Sequence, residues 1–242
     1  IFLERMKGII DKYNAQIISS GMGEYAHDAA NIFEVNIKPN TLVISPFTNK
    51  LTIYESHKAI SNIYAFVKLV KEKFQQPFHC PQLINAVYHK SVFALASQKV
   101  PKFFPNVLSG DFYTAIASLS VVDKLYVLDA PLSYHGLTSK STTASIAKST
   151  GGKEMKEAQP EMTNIKNAPL KIITIPTFVT DSLLQVKIDL KNELDFIHID
   201  LTAYLINSYQ TLNKWESEGL NVSKEKKDLY RAIAEQPLEI QQ

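Results

Sequence analysis

The chain has 242 residues, 45% of them hydrophobic and 21% charged, which excludes a disordered or collagen-like polypeptide. Its single cysteine, Cys80, excludes an intrachain disulfide framework and any site built from several cysteines. The 26 basic residues nearly balance the 24 acidic ones, and only Arg5 and Arg231 are arginines. Nucleic-acid recognition leans on arginine forks and a concentrated basic face, so no nucleic-acid partner is expected. No apolar run reaches the roughly 18–20 residues that cross a bilayer; the longest candidate, residues 60–70, is interrupted by Lys68.

In chain order, Phe2, Leu3, Met6, Ile9, Ile10 and Tyr13 fall at spacings of three and four. This stripe predicts a helix that needs a core to lie on. The chain opens at Ile1 rather than methionine, already inside that helix, so further residues are expected upstream. Residues 15–19 form a β-prone run closed by Gly21 and Gly23. Residues 41–45 and 51–54 flank a turn and predict a hairpin. Ser56 is placed to cap a helix reaching about residue 74, with Ile60, Ile63, Phe66, Val67 and Val70 on its buried side.

A buried strand is predicted over 83–88 and a short helix over 90–98. Pro101 and Pro105 bracket an extended connection to Ser109-Gly110-Asp111. A helix follows over 111–119 with Phe112, Ala115, Ile116 and Leu119 on one side. Residues 125–128 form a strand that Asp129-Ala130-Pro131 is expected to end. Helices and strands mix throughout, and the fold class is α/β.

The texture changes at Thr138. Eight of residues 138–150 are Ser or Thr, followed by Gly151, Gly152 and a lysine/glutamate-rich stretch. Such a segment buries little and reads as a loop or linker. Beyond it, Val179, Leu183, Val186 and Leu190 keep helical spacing, as do Leu201, Tyr204, Leu205, Leu212 and Trp215. A last amphipathic stretch starts near Ser223. The expected organisation is an α/β unit over 1–137, a linker over 138–168 and a helical C-terminal extension over 169–242.

Asp111 is the first chemical candidate. A carboxylate just after a glycine, at a loop-to-helix junction, is accessible and can accept a proton; it can equally cap the helix. His135, beside Gly136 at the mouth of the serine-rich segment, could contact a phosphate or complete a metal site, or simply be a solvated loop residue. His89-Lys90 follows a strand, where Lys90 could meet a phosphate or lie in water. His79-Cys80 has no orienting partner, so Cys80 reads as an ordinary buried cysteine. Asp195, His198 and Asp200 have metal-ligand chemistry, yet alternate with apolar residues before a helix and read as capping or solvated groups. Asn221-Val-Ser223 matches a glycosylation sequon without a secretory context. Gly21 and Gly23 lack the strand-glycine-helix grammar of a dinucleotide site.

One stretch says more than its parts: Val87-Tyr-His-Lys-Ser-Val-Phe93, Lys102-Phe-Phe-Pro105, Ser109-Gly-Asp-Phe-Tyr113, Leu125-Tyr-Val-Leu-Asp129, Pro131-Leu-Ser-Tyr-His-Gly136 and Ser139-Lys-Ser141. In this order it resembles the acceptor-side half of the family 2 nucleotide-sugar-dependent glycosyltransferases. The resemblance implies a partial GT-A-like mixed sheet with flanking helices, followed by the helical extension. Asp111 would stand at the place of the catalytic base that deprotonates an acceptor hydroxyl, with inversion at the anomeric carbon. Gly110 occupies a position where many members have glutamate, and Lys90 and His135 fall near the donor diphosphate or acceptor. Residues 139–145 would belong to a loop that orders over substrate.

The family also implies Mg²⁺ or Mn²⁺ held by an Asp-x-Asp motif, and no Asp-x-Asp occurs in this chain. The implied partners are a nucleotide-sugar donor and a glycan, lipid-linked or protein acceptor, at a cytoplasmic location peripheral to the inner membrane. The amphipathic C-terminal helices offer a surface for a homo-oligomer. A competing expectation is a non-catalytic interaction module whose C-terminal helices bind a partner. A third, a hydrolase-like enzyme, lacks any Gly-x-Ser-x-Gly elbow.

Overall fold

The computed structural model describes residues 2–27, 30–32, 35–44, 46–69, 80–105, 109–138, 164–199 and 201–236. The first half comprises α1 (Phe2–Tyr13), β1 (Ile17–Ala26), β2 (Ala30–Ile32), β3 (Val35–Ile37), β4 (Thr41–Val43), β5 (Leu51–Glu55) and α2 (Ser56–Leu69). Then come β6 (Ala86–Tyr88), α3 (Lys90–Lys99), α4 (Gly110–Leu119), β7 (Lys124–Leu137), α5 (Ile175–Asp189), α6 (Thr202–Ser217) and α7 (Ser223–Ala234). The described residues thus form a mixed α/β structure, with seven helices around one principal sheet.

The sheet is organised on a long parallel pair, β1 beside β7, in the order β4-β1-β7-β5, with β6 also on β1. The β4, β5 and β6 pairings are antiparallel. The expected 41–45/51–54 hairpin does not form. β4 pairs with Glu24–Ala26 of β1, and β5 pairs with Lys124–Leu128 of β7, so β1 and β7 lie between them. Turn residues in sequence could not reveal this, because each strand finds its partner far away in the chain.

Both central strands run past their expected ends. β1 continues through Gly21 and Gly23, and β7 continues through Pro131. The register slips where Ser20 faces Leu128 but Gly21 faces Pro131, and again before Met22 faces Ser133. Proline is tolerated at such a bulge because no regular ladder bond is asked of it. Space is tight at Gly21: a Cβ would come within 3.1 Å of the Ala130 carbonyl oxygen, so the facing backbone would have to give by a few tenths of an ångström. The bulge is tied down by Asp129, whose Oδ2 accepts from Thr48 N at 2.8 Å and Thr48 Oγ1 at 2.6 Å.

Alternation sends Ile17, Leu125 and Val127 to one side of the sheet and Ile18 and Tyr126 to the other. The first side is the main core. There α2 (Ile60, Ile63), α3 (Val92, Ala96) and α4 (Tyr113, Ile116) pack with Leu183 and Val186 of α5, Tyr204 and Leu212 of α6 and Leu229 of α7. Each such fully buried aliphatic side chain contributes about 1.5–3 kcal/mol of transfer free energy. The helices of 169–242 therefore share a continuous core with the sheet. On the opposite side α1 covers a small cluster of Met6, Ala15, Ile18 and Tyr126. Only part of its apolar stripe is covered: Met6 is buried, while Leu3 is 75% exposed and Ile10 and Tyr13 also reach the surface.

Ser56 opens α2, but its hydroxyl has no hydrogen-bond partner among the described residues; the backbone N–H donates to Asp123 O at 2.8 Å instead. Phe66 and Val67 have side chains outside the described set, and the stretch from Val70 to residue 74 lies outside the described residues.

Candidate functional site

Asp111 lies in the first turn of α4, and its side chain is exposed. It does not cap the helix. The N-cap residue is Ser109, without a side-chain capping bond. Among the described residues the Asp111 carboxylate accepts no hydrogen bond; Thr114 Oγ1 instead closes the turn onto the Gly110 and Asp111 carbonyls at 3.0 and 3.2 Å. Gly110 is not dictated by space, since a Cβ there would meet only Pro105 O at 3.9 Å.

Residues 120–123 carry the chain from α4 into β7. The charge of Asp111 is felt at Cys80 and Tyr88, beside the first half of β1, where Tyr88 pairs with Ile17. Burial pushes the Cys80 thiol up, and the Asp111 charge adds to the effect. Burial also raises Tyr88, with Cys80 and then Asp111 contributing. Cys80 sits at the start of a turn that closes through Gln82 and Asn85 onto Ser20 of β1, with Ser20 N donating to Asn85 O at 2.9 Å. The Tyr88 hydroxyl donates to the Pro81 carbonyl. A row of rings, Tyr88, Phe93, Phe103 and Phe104, has successive centroids 5.1, 5.4 and 4.9 Å apart. It anchors the segment that leads to α4.

The other expected residues are dispersed. His89 is the N-cap of α3, accepting from Ser91 N at 3.3 Å, and Lys90 is an exposed residue of its first turn. His89 N donates to Gln16 O at the start of β1, whereas half-buried His135 faces Glu24 near its end. At strand rise that separates Lys90 from His135 by roughly 25 Å, so the two do not share one small-ligand site. Asp195 and His198 are exposed in the connection between α5 and α6, while Asp200 lies outside the described residues, as do His79 and residues 139–145. Cys80 is buried and reduced. Asn221 Oδ1 accepts from Ser223 N at 3.2 Å, a local turn into α7. Among the described residues no three His, Cys, Asp or Glu side chains gather to hold a metal.

A polar line along α5 escaped the sequence reading. Asp181 is buried, and its Oδ1 accepts from the backbone N–H groups of Lys166, Asn167 and Ala168 at 3.0, 2.5 and 2.8 Å. Ser182 Oγ accepts from Ser109 N at 3.3 Å. Asn167 Nδ2 donates to Gln185 Oε1 at 2.9 Å, Gln185 Nε2 to Asp189 Oδ1 at 3.1 Å, and Tyr113 OH to Asp189 Oδ2 at 2.7 Å. These bonds hold the backbone on both sides of Asp111, at Ser109 and Tyr113. The available signal was Asp181, Gln185 and Asp189 recurring every four residues, a polar line inside an apolar helix.

A shallow depression of about 360 Å³ lined by Leu95, Gln98, Lys99 and residues 120–123 lies at the far end of α4 from Asp111 and brings no candidate together. In comparisons with protein-family models, curated proteins and solved structures, nothing matches the chain. No described helix is long and apolar enough to cross a membrane.

Proposed function

We propose that this chain is the acceptor-side part of an inverting, nucleotide-sugar-dependent glycosyltransferase of the family 2, GT-A type, with Asp111 as general base. The observation that supports this most is the state of Asp111: an exposed carboxylate in the first turn of α4, uncommitted to capping and accepting no hydrogen bond among the described residues.

In the proposed step the acceptor hydroxyl oxygen attacks the anomeric carbon of the donor. Asp111 takes the hydroxyl proton as the new C–O bond forms, and the nucleoside diphosphate leaves with the electron pair of the broken bond. A single in-line displacement inverts the anomeric centre. Ser182 and Asp189 keep the first turn of α4 in place, which is the positional contribution such a base needs. The location that fits is cytoplasmic, peripheral to the membrane face where glycan acceptors are assembled.

The test is release of nucleoside diphosphate by the full-length gene product with a panel of UDP-, GDP- and TDP-sugars and Mn²⁺, beside its Asp111→Asn variant. Release that drops about a hundredfold or more in the variant is expected for a general base. Release unchanged in the variant would remove Asp111 from the role.

A further inference from the structure

β5 is an edge of the principal sheet, and its outer side is regular. Among the described residues it pairs only with β7, in unbroken register from Leu51 opposite Leu128 to Glu55 opposite Lys124. Just beyond those ends, Asp129 N donates to Lys50 O at 2.9 Å and Ser56 N donates to Asp123 O at 2.8 Å. Antiparallel ladders alternate, so the backbone of Lys50, Thr52, Tyr54 and Ser56 turns toward β7 and that of Leu51, Ile53 and Glu55 turns outward. Glu55 stands at the N-cap of α2, which takes its carbonyl. The outer edge thus carries the N–H and C=O groups of Leu51 and Ile53 and the Glu55 N–H, with no partner among the described residues. The protections usual at an edge, a proline, a bulge or a charge at its middle, are missing from β5. Thr52, Ile53 and Glu55 are exposed. The opposite edge is divided between the three-residue strands β4 and β6.

This set of outward groups is symmetric about Thr52, which makes the edge complementary to itself. With the strand laid antiparallel on a second copy and Thr52 on its own image, Leu51 of each strand exchanges both backbone bonds with Ile53 of the other. The side chains agree with that register. Thr52 meets Thr52, Leu51 meets Ile53 twice, Lys50 lies along Tyr54, and no like charges stand opposite.

Charge completes the fit. Leu51 packs on the Met6, Ile18 and Tyr126 cluster under α1, and by alternation Glu55 shares that side of the sheet. On the same side, Arg5 of α1 donates from Nη1 to Asn49 Oδ1 at 3.1 Å, a neutral partner. Glu55 stands opposite Lys124 in the ladder, yet neither Arg5 nor Glu55 has an ion pair among the described residues. In the symmetric register Glu55 of the copy comes opposite Asn49, about 5.5 Å away between Cα atoms, where the Arg5 guanidinium already lies. The two-fold supplies this contact twice.

We infer that the chain forms a two-fold dimer through β5, its principal sheets joined edge to edge and Arg5 of each copy paired with Glu55 of the other. The inference is independent of the transfer reading above.

The experiment is sedimentation equilibrium of the 242-residue chain, with amide hydrogen exchange at low and high protein concentration. A single strand pair is a small interface, so a dimer with a Kd of about 10–100 µM is expected. Exchange should show an alternating signature. The Leu51 and Ile53 amides should slow as concentration rises, while those of Thr52 and Tyr54, bonded to β7 in either state, should not change. Ile53→Pro removes an outward N–H and no bond to β7, so it should keep the fold and abolish the dimer. Glu55→Arg and Arg5→Glu should each weaken dimerisation about tenfold. The double variant should recover to within about threefold of wild type, because the charges are exchanged and not removed. Circular dichroism of each variant separates loss of pairing from loss of fold, and the exchange pattern of the unaltered chain decides even where a variant fails to fold. A chain that stays monomeric to about 500 µM overturns the proposal, as does a dimer that leaves the Leu51 and Ile53 amides unprotected or that Ile53→Pro does not disturb. A double variant no tighter than the single ones overturns the register, and the proposal with it.

Discussion

The Tyr113 hydroxyl donates to Asp189 Oδ2 at 2.7 Å, joining the beginning of α4 to the end of α5 across 76 positions of sequence. Tyr113 is fully buried, and Gln185 holds the other Asp189 oxygen. The bond therefore fixes a carboxylate and a helix at once. Tyr113→Phe is expected to cost about 1.5–2 kcal/mol, the usual value for a hydrogen bond to a charged group, read as a lower urea midpoint with unchanged slope. A loss below the error of the fit would show that the bond contributes little.

Asp181 gives a sharper case. Its Oδ1 satisfies three consecutive backbone donors inside the protein, and its Oδ2 has no partner among the described residues. Asp181→Ala leaves three donors without an acceptor and should destabilise by about 3 kcal/mol or more. Asp181→Asn keeps an acceptor oxygen and should lose less. Limited proteolysis between residues 164 and 170 should accelerate in the alanine variant well before the global transition.

Alkaline pH should weaken the fold. Burial pushes Tyr204 up to about 12, and burial likewise raises Tyr64, Tyr88, Tyr113 and the Cys80 thiol. These groups stay protonated in the fold while the unfolded chain ionises from its ordinary values of 9.0 for the thiol and 10.0 for the phenols. Above those values the unfolded state binds fewer protons than the native state, so stability falls as pH rises. Stability should be level with respect to these groups below about pH 9 and decline from there toward pH 12. Urea midpoints across that range check the sign, and Tyr64→Phe should flatten the slope.

Gly219 ends α6 with φ +87°. Leu220 N donates to Trp215 O at 3.0 Å and Gly219 N to Glu216 O at 2.9 Å, the paired bonds of a left-handed helix stop. Space is open around it, so the cost of a side chain is conformational alone. Gly219→Ala should lower stability by about 1 kcal/mol, and Gly219→Asn by less, because asparagine tolerates this conformation better. Thermal unfolding of the two variants would separate them.

Much of the chain was legible because local patterns carried it. Val179, Leu183, Val186 and Leu190 announced α5, and Leu201, Tyr204, Leu205, Leu212 and Trp215 announced α6. Ser109-Gly110-Asp111 marked a helix start and an accessible carboxylate. What the residues could not announce was pairing. β4 and β5 look like the arms of a hairpin because a turn-rich segment separates them, yet each is drawn to a different central strand. The bulges at Gly21 and Pro131 were equally hidden, because glycine and proline read as strand ends until a neighbouring backbone shows what they accommodate.

By itself, then, the sequence determined the α/β character and the sites of most helices, through periodicities that act over one or two turns. It also singled out Asp111 by type and position. Only the tertiary structure decided that Asp111 is not a cap, that Lys90 and His135 lie at opposite ends of β1, and that α5 braces the helix carrying Asp111. It also decided that Tyr134 lies on Gly23. These are relations between residues distant in the chain. They depend on register and packing, which are set by the burial of whole faces and not by any one residue's neighbours.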